Sequence, residues 1–322
     1  LAQAAALIRR GELVAFPTET VYGLGANALD PDAVARIYAA KGRPAWNPVI
    51  VHVADISAAK TLTSAWPERA TRLAEACWPG PLTLVLAKNE AVPSIVSAGG
   101  DTVAIRIPSH PAALSLLRAA DVPIAAPSAN RFTQISPTTA EHVAMGLGDR
   151  VSMILDGGPC EIGIESTVVD VTGDEAVILR PGQLSADTLS HLLGERVQMR
   201  SHALDHTLEH AAPQRSPGNA TRHYAPRADV WLTNADDLHE VQRAIVAGST
   251  ARVGVLAIDG GIEITGAHRT LHLPATPGGY ARGLYAALHT LDNEGCTVIV
   301  IQLPPAGASW DGVRDRILRA TR

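Results

Sequence analysis

Short apolar runs set between helix-start signals constrain this chain more than anything else in it. In the first two hundred residues the runs are LVAF (13–16), VIVHV (49–53), LTLVL (82–86), TVAIRI (102–107), VSMIL (151–155), STVVDV (166–171) and AVILR (176–180). Each is the right length for a strand and too short for a helix. Between them, Asp30-Pro31 sets a cap ahead of a proline in the first helical turn, opening a helix to about Ala40. Pro67-Glu68 and His110-Pro111 repeat that signal, and Thr138 to Gly146 predicts a further short helix. Some gaps are too short for crossover helices, so the sheet is expected to be twisted and mixed.

The pattern breaks near residue 200. SHALDHTLEHAAPQRSPGNATRHYAPR (201–227) carries Pro213, Pro217, Gly218 and Pro226 and no convincing strand, and reads as a linker with one short helix. A second α/β series follows: VWL (230–232), a helix over 235–247, RVGVLAI (252–258), LHL (271–273), a helix over 280–291, TVIVIQL (297–303) and a helix over 310–320. Strands alternating with helices predict a smaller, Rossmann-like three-layer domain with a largely parallel sheet. The expected division is 1–200, a linker over 201–228, and 229–322.

Composition removes several classes. The formal net charge of −5 argues against a nonspecific nucleic-acid coat, though not against a basic pocket. Cys77, Cys160 and Cys296 lie far apart and form no CxxC pair, which disfavours disulfide scaffolds and structural zinc. The opening LAQAAALIRRGE reads as an amphipathic helix rather than a signal peptide, and no apolar run reaches the ~18 residues of a membrane span. The expected setting is the cytoplasm, away from membranes.

Polar residues gather at strand ends. PTETVYGLG (17–25) places hydroxyls and a carboxylate between an apolar strand and glycines, as a ligand site or as a hydrogen-bonded turn. In KGRPAWNPVIVHV (41–53), Lys41 and Arg43 pair a compact point charge with a planar donor fork, a combination suited to successive phosphates. Alone, that pair reads as surface charge before it reads as a site, and His52 as a structural histidine before a ligand. Arg106 stands in an apolar strand, where its guanidinium needs an internal carboxylate or an anionic ligand. APSAN (126–130), GIESTVVD (163–170) and ILRPG (178–182) repeat the theme of small polar or guanidinium groups at strand edges. Together they predict a pocket for nucleotide phosphates or polar metabolites.

Other machines are missing or faint. There is no GxxxxGK[ST] loop, and no GxGxxG follows a strand. Ser57 and Lys60 match SxxK and Ser128 to Asn130 mimics a second penicillin-binding motif, but the KTG partner is absent. His202, His206 and His210 fall four apart, which suits a metal site or, more blandly, a solvated helical face. The Asn219-Ala220-Thr221 sequon has no secretory context.

Taken in order, PTETVYGLG, KGRPAWNPVIVHV, WPGPLTLVL, AIRIPSHP, APSAN, SPT, GIESTVVD and ILRPG resemble the YrdC/Sua5 family, the threonylcarbamoyl-AMP synthases of tRNA modification. The likeness covers about residues 3–200, and SPG…HYAP with the trailing domain matches the family's long two-domain form. Each motif is weak by itself; the ordered set is specific. The resemblance implies that L-threonine and bicarbonate or CO2 give N-carboxythreonine, whose carboxylate attacks the α-phosphorus of ATP. Pyrophosphate leaves, and the adenylate serves N6-threonylcarbamoyladenosine (t6A) formation at position 37 of ANN-decoding tRNAs.

By the same resemblance, Lys41 and Arg43 are the catalytic phosphate grip. Asn47, Thr102, Ser128, Asn130, Ser136, Arg180 and Ser216 join them at ATP. Thr20, His52, Arg106 and Ser166 hold L-threonine, with Arg106 at its carboxylate, and Thr167 completes the EST segment. His223 and Tyr224 form a lid where the linker crosses the site mouth, or else only dock the two domains. Mg2+ is implied, carried by the ATP phosphates with no protein ligand assigned. Partners implied are the downstream proteins that transfer the threonylcarbamoyl group, with a weak tRNA association.

Two stretches depart from the family pattern. Arg131 to Ile135 replaces the usual Ser-Gly pair after APSAN, and Asn219 to Arg222 replaces a Met-Lys-like continuation after SPG. The first is expected to reshape the nucleotide side of the pocket, the second the packing of the lid. Rival readings are an RNA- or nucleotide-binding module, a silent regulator, and the carbamoyl chemistry of hydrogenase-maturation proteins, whose acylphosphatase and zinc-finger segments are absent.

Overall fold

The computed structural model describes residues 1–200, 215, 223–234, 237, 242–243 and 251–321. The three spaced histidines, Ser216, Asn219 to Arg222 and most of the helix expected over 235–247 lie outside the described residues.

The first sheet holds ten strands: β1 (Val14–Phe16), β2 (Gly23–Asn27), β3 (Ile50–His52), β4 (Leu82–Ala87), β5 (Thr102–Arg106), β6 (Ile124–Ala125), β7 (Met153–Ile154), β8 (Thr167–Asp170), β9 (Val177–Arg180) and β10 (Gln198–Met199). Their order across the sheet is β10-β9-β8-β4-β5-β3-β6-β2-β1-β7. The sheet is mixed, as expected: β3 runs parallel to β5 and β4 to β8, while β4/β5, β2/β6, β3/β6 and β8/β9 are antiparallel.

Helices α1 (Ala2–Arg9), α2 (Pro31–Lys41), α3 (Ile56–Lys60), α4 (Glu68–Cys77), α5 (Pro111–Ala120), α6 (Ala140–Leu147) and α7 (Ala186–Leu193) accompany this sheet. The Asp30-Pro31 signal works as read, since the Asp30 carboxylate accepts from the amides of Asp32 and Ala33. At the other end Gly42 adopts φ +63°, ending α2 just after Lys41 and sending the chain into the loop of Arg43.

The polar stretch 17–25 hides a strand. β2 begins at Gly23, and its glycines suggested a turn. A Cβ on Gly25 would sit 2.8 Å from the Phe16 ring and 2.9 Å from Ile124, so a side chain there would collide with the neighbouring strands.

Four parallel strands, β11 (Asp229–Thr233), β12 (Val253–Ile258), β13 (Arg269–Leu273) and β14 (Val298–Gln302), form the second sheet in the order β11-β14-β12-β13. Helices α8 (Pro277–Asn293) and α9 (Asp311–Ala320) flank it. One apolar cluster joins the two regions: Val21, Ile135 and Ile164 pack with Tyr224, Tyr280, Tyr285, Leu288 and Ile317. Val21, Ile135 and Ile164 all adjoin polar motifs, so this packing presses α8 and α9 against the loops that carry the chemistry. No helix among the described residues is long and apolar enough to cross a membrane.

Candidate functional site

A partly open cleft lies over the central strands, lined by apolar groups and a convergent set of polar side chains. Ile50 and His52, two apart on β3, face it together. Thr20, His52, Arg106 and Ser166 line one part, and Arg43, Ser128 and Arg180 also reach its wall, with His223 and Tyr224 from the end of the linker. Residues far apart in sequence thus converge on one cavity.

Arg106, at the end of β5, meets the internal carboxylate that its burial demands. Its Nη2 lies 2.6 Å from Glu19 Oε1 in a pair almost wholly shielded from water. It also donates from Nη1 to Thr20 Oγ1 at 2.8 Å and from Nε to the Gly80 carbonyl at 3.2 Å. Burial pushes the Glu19 carboxyl upward, but the Arg106 charge together with hydrogen bonding from Arg106 and the backbone holds the group below its ordinary value. His52 is opposite Arg106 in the β3/β5 register. Burial, then repulsion from Arg106, pushes its imidazole down to about 3, so it is neutral at pH 7. Ser166 exchanges a hydrogen bond with Thr83 at 2.7 Å.

On the cationic side, the Arg43 fork donates to Asn47 Oδ1 and the Pro48 carbonyl, both at 2.6 Å, and to the Asn47 carbonyl at 3.0 Å. Burial lowers Arg43 to about 10, which leaves it charged at pH 7. Arg180 grips Ser166 through its carbonyl (3.0 and 3.2 Å) and its Oγ (3.1 Å), tying the two halves of the cleft together. Lys41 stands behind the wall, not on it. Its ammonium donates to the Ser128 carbonyl at 2.5 Å and to the Asn130 carbonyl. Burial, then repulsion from Arg43, pushes it well below the usual lysine value. Thr102 opens β5 opposite Ala87, off the cleft wall, and Asn130 and Ser136 likewise sit behind the surface.

Several polar atoms of the cleft have no hydrogen-bond partner among the described residues: His52 Nδ1, His223 Nδ1 and Tyr224 Oη. Asn47 Nδ2, beside Arg43, is in the same condition. Orphaned buried donors and acceptors are rare in folded proteins, so their convergence marks a place built for a polar ligand.

Three features escaped sequence reasoning. Glu165, inside the GIESTVVD motif but given no role, lines the cleft. It accepts from Ser136 Oγ (2.5 Å), Tyr285 Oη (3.0 Å) and Arg316 Nε (2.7 Å). The second region therefore builds part of the site through Tyr285 and Arg316. The unusual 131–135 stretch is also explained: the linker end docks on it. Ala225 donates from its amide to the Thr133 carbonyl at 2.9 Å, Gln134 bridges to Ala225, and the Phe132 ring meets His223 edge-on at 5.7 Å. Thr133 and Tyr224 take φ of +69° and +60° at this junction. Only Tyr285 and Arg316 lacked any sequence signal, because helical periodicity makes them ordinary members of α8 and α9.

The sequence profile of the Sua5/YciO/YrdC family, described as telomere recombination, matches residues 6–182, and that of the threonylcarbamoyl-AMP synthase C-terminal domain matches 184–321. The chain belongs to the Sua5/YciO/YrdC family. It is 43% identical to threonylcarbamoyl-AMP synthase of Pyrococcus abyssi, across 93% of this chain and 87% of that protein. It is 42% identical to the Bacillus subtilis threonylcarbamoyl-AMP synthase, across 99% and 92%. The crystal structure of P. abyssi Sua5 complexed with L-threonine superimposes with a TM-score of 0.90 at 40% identity, covering 99% of this chain and 93% of that one. Both regions thus follow the two-domain family architecture.

Proposed function

We propose that this chain is an L-threonylcarbamoyladenylate synthase, an ATP-dependent nucleotidyltransferase that supplies t6A formation in tRNA. The observation that carries the reading is one cleft in which a threonine-sized cluster, Thr20, His52, Arg106 and Ser166, adjoins the cationic groups Arg43 and Arg180. The 40–43% identity to proteins named for this activity supports it.

In this reading the amine nitrogen of threonine bonds to the carbon of CO2 and loses a proton, giving N-carboxythreonine. A carboxylate oxygen then bonds to the α-phosphorus of ATP while the bond to the bridging oxygen breaks and pyrophosphate leaves. Nucleophile and phosphate are both anionic, so the protein's work is positioning and charge. Arg106 shares its fork between Glu19 and the threonine carboxylate, Thr20 and Ser166 orient the amino acid, and neutral His52 offers its free Nδ1. Arg43, Asn47 and Arg180 meet the phosphates, with Thr102, Ser128, Asn130, Ser136 and Ser216 at or behind the nucleotide. Lys41 leaves the carbonyls of Ser128 and Asn130 for phosphate oxygens. His223 and Tyr224, at the end of the linker, close over the ligands and exclude water.

Among the described residues no three His, Cys, Asp or Glu side chains come together to hold a metal ion. The acid on the wall, Glu165, is taken up by Arg316, Tyr285 and Ser136. That donor set does not fit a resident divalent ion, so Mg2+ enters with ATP as part of the nucleotide substrate. The chain works in the cytoplasm, downstream proteins that transfer the threonylcarbamoyl group receive the product, and a weak tRNA association accompanies this role.

The test is to incubate purified protein with Mg–ATP, bicarbonate and each amino acid in turn, and to measure pyrophosphate and the adenylate by mass spectrometry. Product with threonine alone is expected. ATP binding without threonine-dependent pyrophosphate release overturns the reading in favour of a nucleotide-binding module.

A further inference from the structure

The carboxylate of Glu165 is chemically out of place. It lines a cleft whose other charged lining residues, Arg43, Arg106 and Arg180, are cations, and an acid there repels a triphosphate. Its local use is clear, because it anchors Ser136 Oγ at 2.5 Å and Tyr285 Oη at 3.0 Å. Its charge is answered from the other domain. Arg316 on α9 donates from Nε to Glu165 Oε2 at 2.7 Å and from Nη2 to the Glu165 carbonyl at 3.3 Å. The arginine is wholly shielded from water.

Arg316 is itself fixed. Its Nη1 donates to the Pro181 carbonyl at 2.9 Å and to Asp315 Oδ2 at 2.7 Å. Its guanidinium also stands 5.1 Å from the centre of the Tyr224 ring, within cation–π range. Close approach of α9 makes this possible: a Cβ on Gly312 would lie 2.5 Å from the Gly182 carbonyl oxygen, so only glycine lets the helix come this near. One side chain of the second domain thus touches both the acid on the cleft wall and the aromatic ring that closes it.

We propose that Arg316 is a positioning residue of the nucleotide subsite, cancelling the Glu165 charge and backing the Tyr224 ring so that the cleft wall accepts a triphosphate. The inference rests on the reading that the cleft binds ATP. Surface docking of two domains does not need it, since apolar packing of α8 and α9 already joins them. The two ends of the ion pair then have opposite effects on an anionic ligand. Loss of Arg316 exposes a negative charge to the triphosphate, whereas loss of the Glu165 charge leaves an additional positive one.

The experiment measures dissociation constants of ATP and of L-threonine, each alone, by isothermal titration calorimetry on the full chain. The proteins are wild type, Arg316→Met, Glu165→Gln and the double variant. Arg316→Met is expected to weaken ATP about tenfold or more while threonine moves less than about threefold, Glu165→Gln to tighten ATP, and the double variant to return towards wild type. A pair that only docks the domains loses ATP affinity from either end, with no recovery in the double variant; that result overturns the proposal, as does an unchanged constant in Arg316→Met. Should Arg316→Met fail to fold by circular dichroism, Glu165→Gln against the double variant carries the test. That step removes the arginine charge without stranding a carboxylate, so ATP is expected to weaken, and an unchanged value overturns the inference. Wild-type protein that binds no ATP removes the parent reading and this inference together; wild-type binding with indifferent variants removes this inference alone.

Discussion

Two buried arginine–glutamate pairs border the cleft, and they come from different parts of the chain. Arg106 and Glu19 meet at 2.6 Å within the first domain, one at the end of a strand and the other in the loop after β1. Arg316 and Glu165 meet at 2.7 Å across the boundary between domains. In the first pair the arginine faces the cleft and the acid holds it; in the second the acid faces the cleft and the arginine holds it. The contrast suits the proposed ligands. A free guanidinium edge is wanted where a single carboxylate binds, whereas the nucleotide side already has Arg43 and Arg180 and needs its acid silenced.

Breaking the first pair is expected to do the most damage. Arg106→Met strands the Glu19 carboxylate and should cost about 3–5 kcal/mol of stability, read by urea unfolding, along with nearly all product formation. A variant as stable as wild type would show that Glu19 is hydrated and the pair unimportant. Next in size is Arg43→Ala, which touches neither acid. It is expected to lower kcat/KM by about 100- to 1,000-fold, equivalent to ~2.7–4 kcal/mol in the transition state, with the fold retained by circular dichroism. Loss confined to KM would reassign Arg43 to uniform binding.

A smaller effect is expected from the hydroxyl of Tyr224, the ring beside the second pair. Its hydroxyl has no hydrogen-bond partner among the described residues, so Tyr224→Phe should leave thermal stability within about 0.5 kcal/mol of wild type. Tyr224→Ala, which removes the ring between Arg316 and Tyr285, should cost about 3–5 kcal/mol. Activity lost in the phenylalanine variant, at unchanged stability, reports a hydroxyl contact to the ligand.

A separate, graded effect is one of pH. His52, His142, His223 and His289 are all pushed below 6.5, chiefly by burial, His52 to about 3 and His289 to about 4. Folding therefore holds them neutral, and the unfolded chain binds protons first as pH falls. Stability should be full above pH 6.5 and decline progressively below it, measured by urea unfolding at pH 7.5 and pH 5. His142 and His289 stack at 3.9 Å between α6 and α8, so His289→Gln should shallow the decline. An unchanged slope would show that the stacked pair titrates normally.

Much of this architecture is legible in the amino-acid sequence itself. The caps of α2, α5 and α6 and the mixed and parallel sheets follow from local periodicity and turn chemistry, because the residues that decide them are neighbours. The convergence of Thr20, His52, Arg106 and Ser166 on one cleft is legible through motif order, and the burial cost of Arg106 is visible from its apolar strand. Its partner is not, since Glu19 is one polar residue among several in PTETVYGLG. Glu165 is harder still: what gives it meaning is an arginine 151 residues away on a helix with an ordinary amphipathic pattern. Strand β2 stays hidden because glycines that signal turns in isolation are required here by the bulk of Phe16 and Ile124.

That same separation has a consequence during synthesis. A ribosome adding about 5–20 residues per second takes roughly 8–30 s to travel the 151 positions from Glu165 to Arg316. Through that interval the nascent first domain carries an acid whose counterion does not yet exist. Water and the more distant Arg180 must serve in place of Arg316 until α9 emerges and docks. The enzyme's pocket is thus finished late in translation, and a chain stopped short of its last helix is left with a flaw at its most important surface.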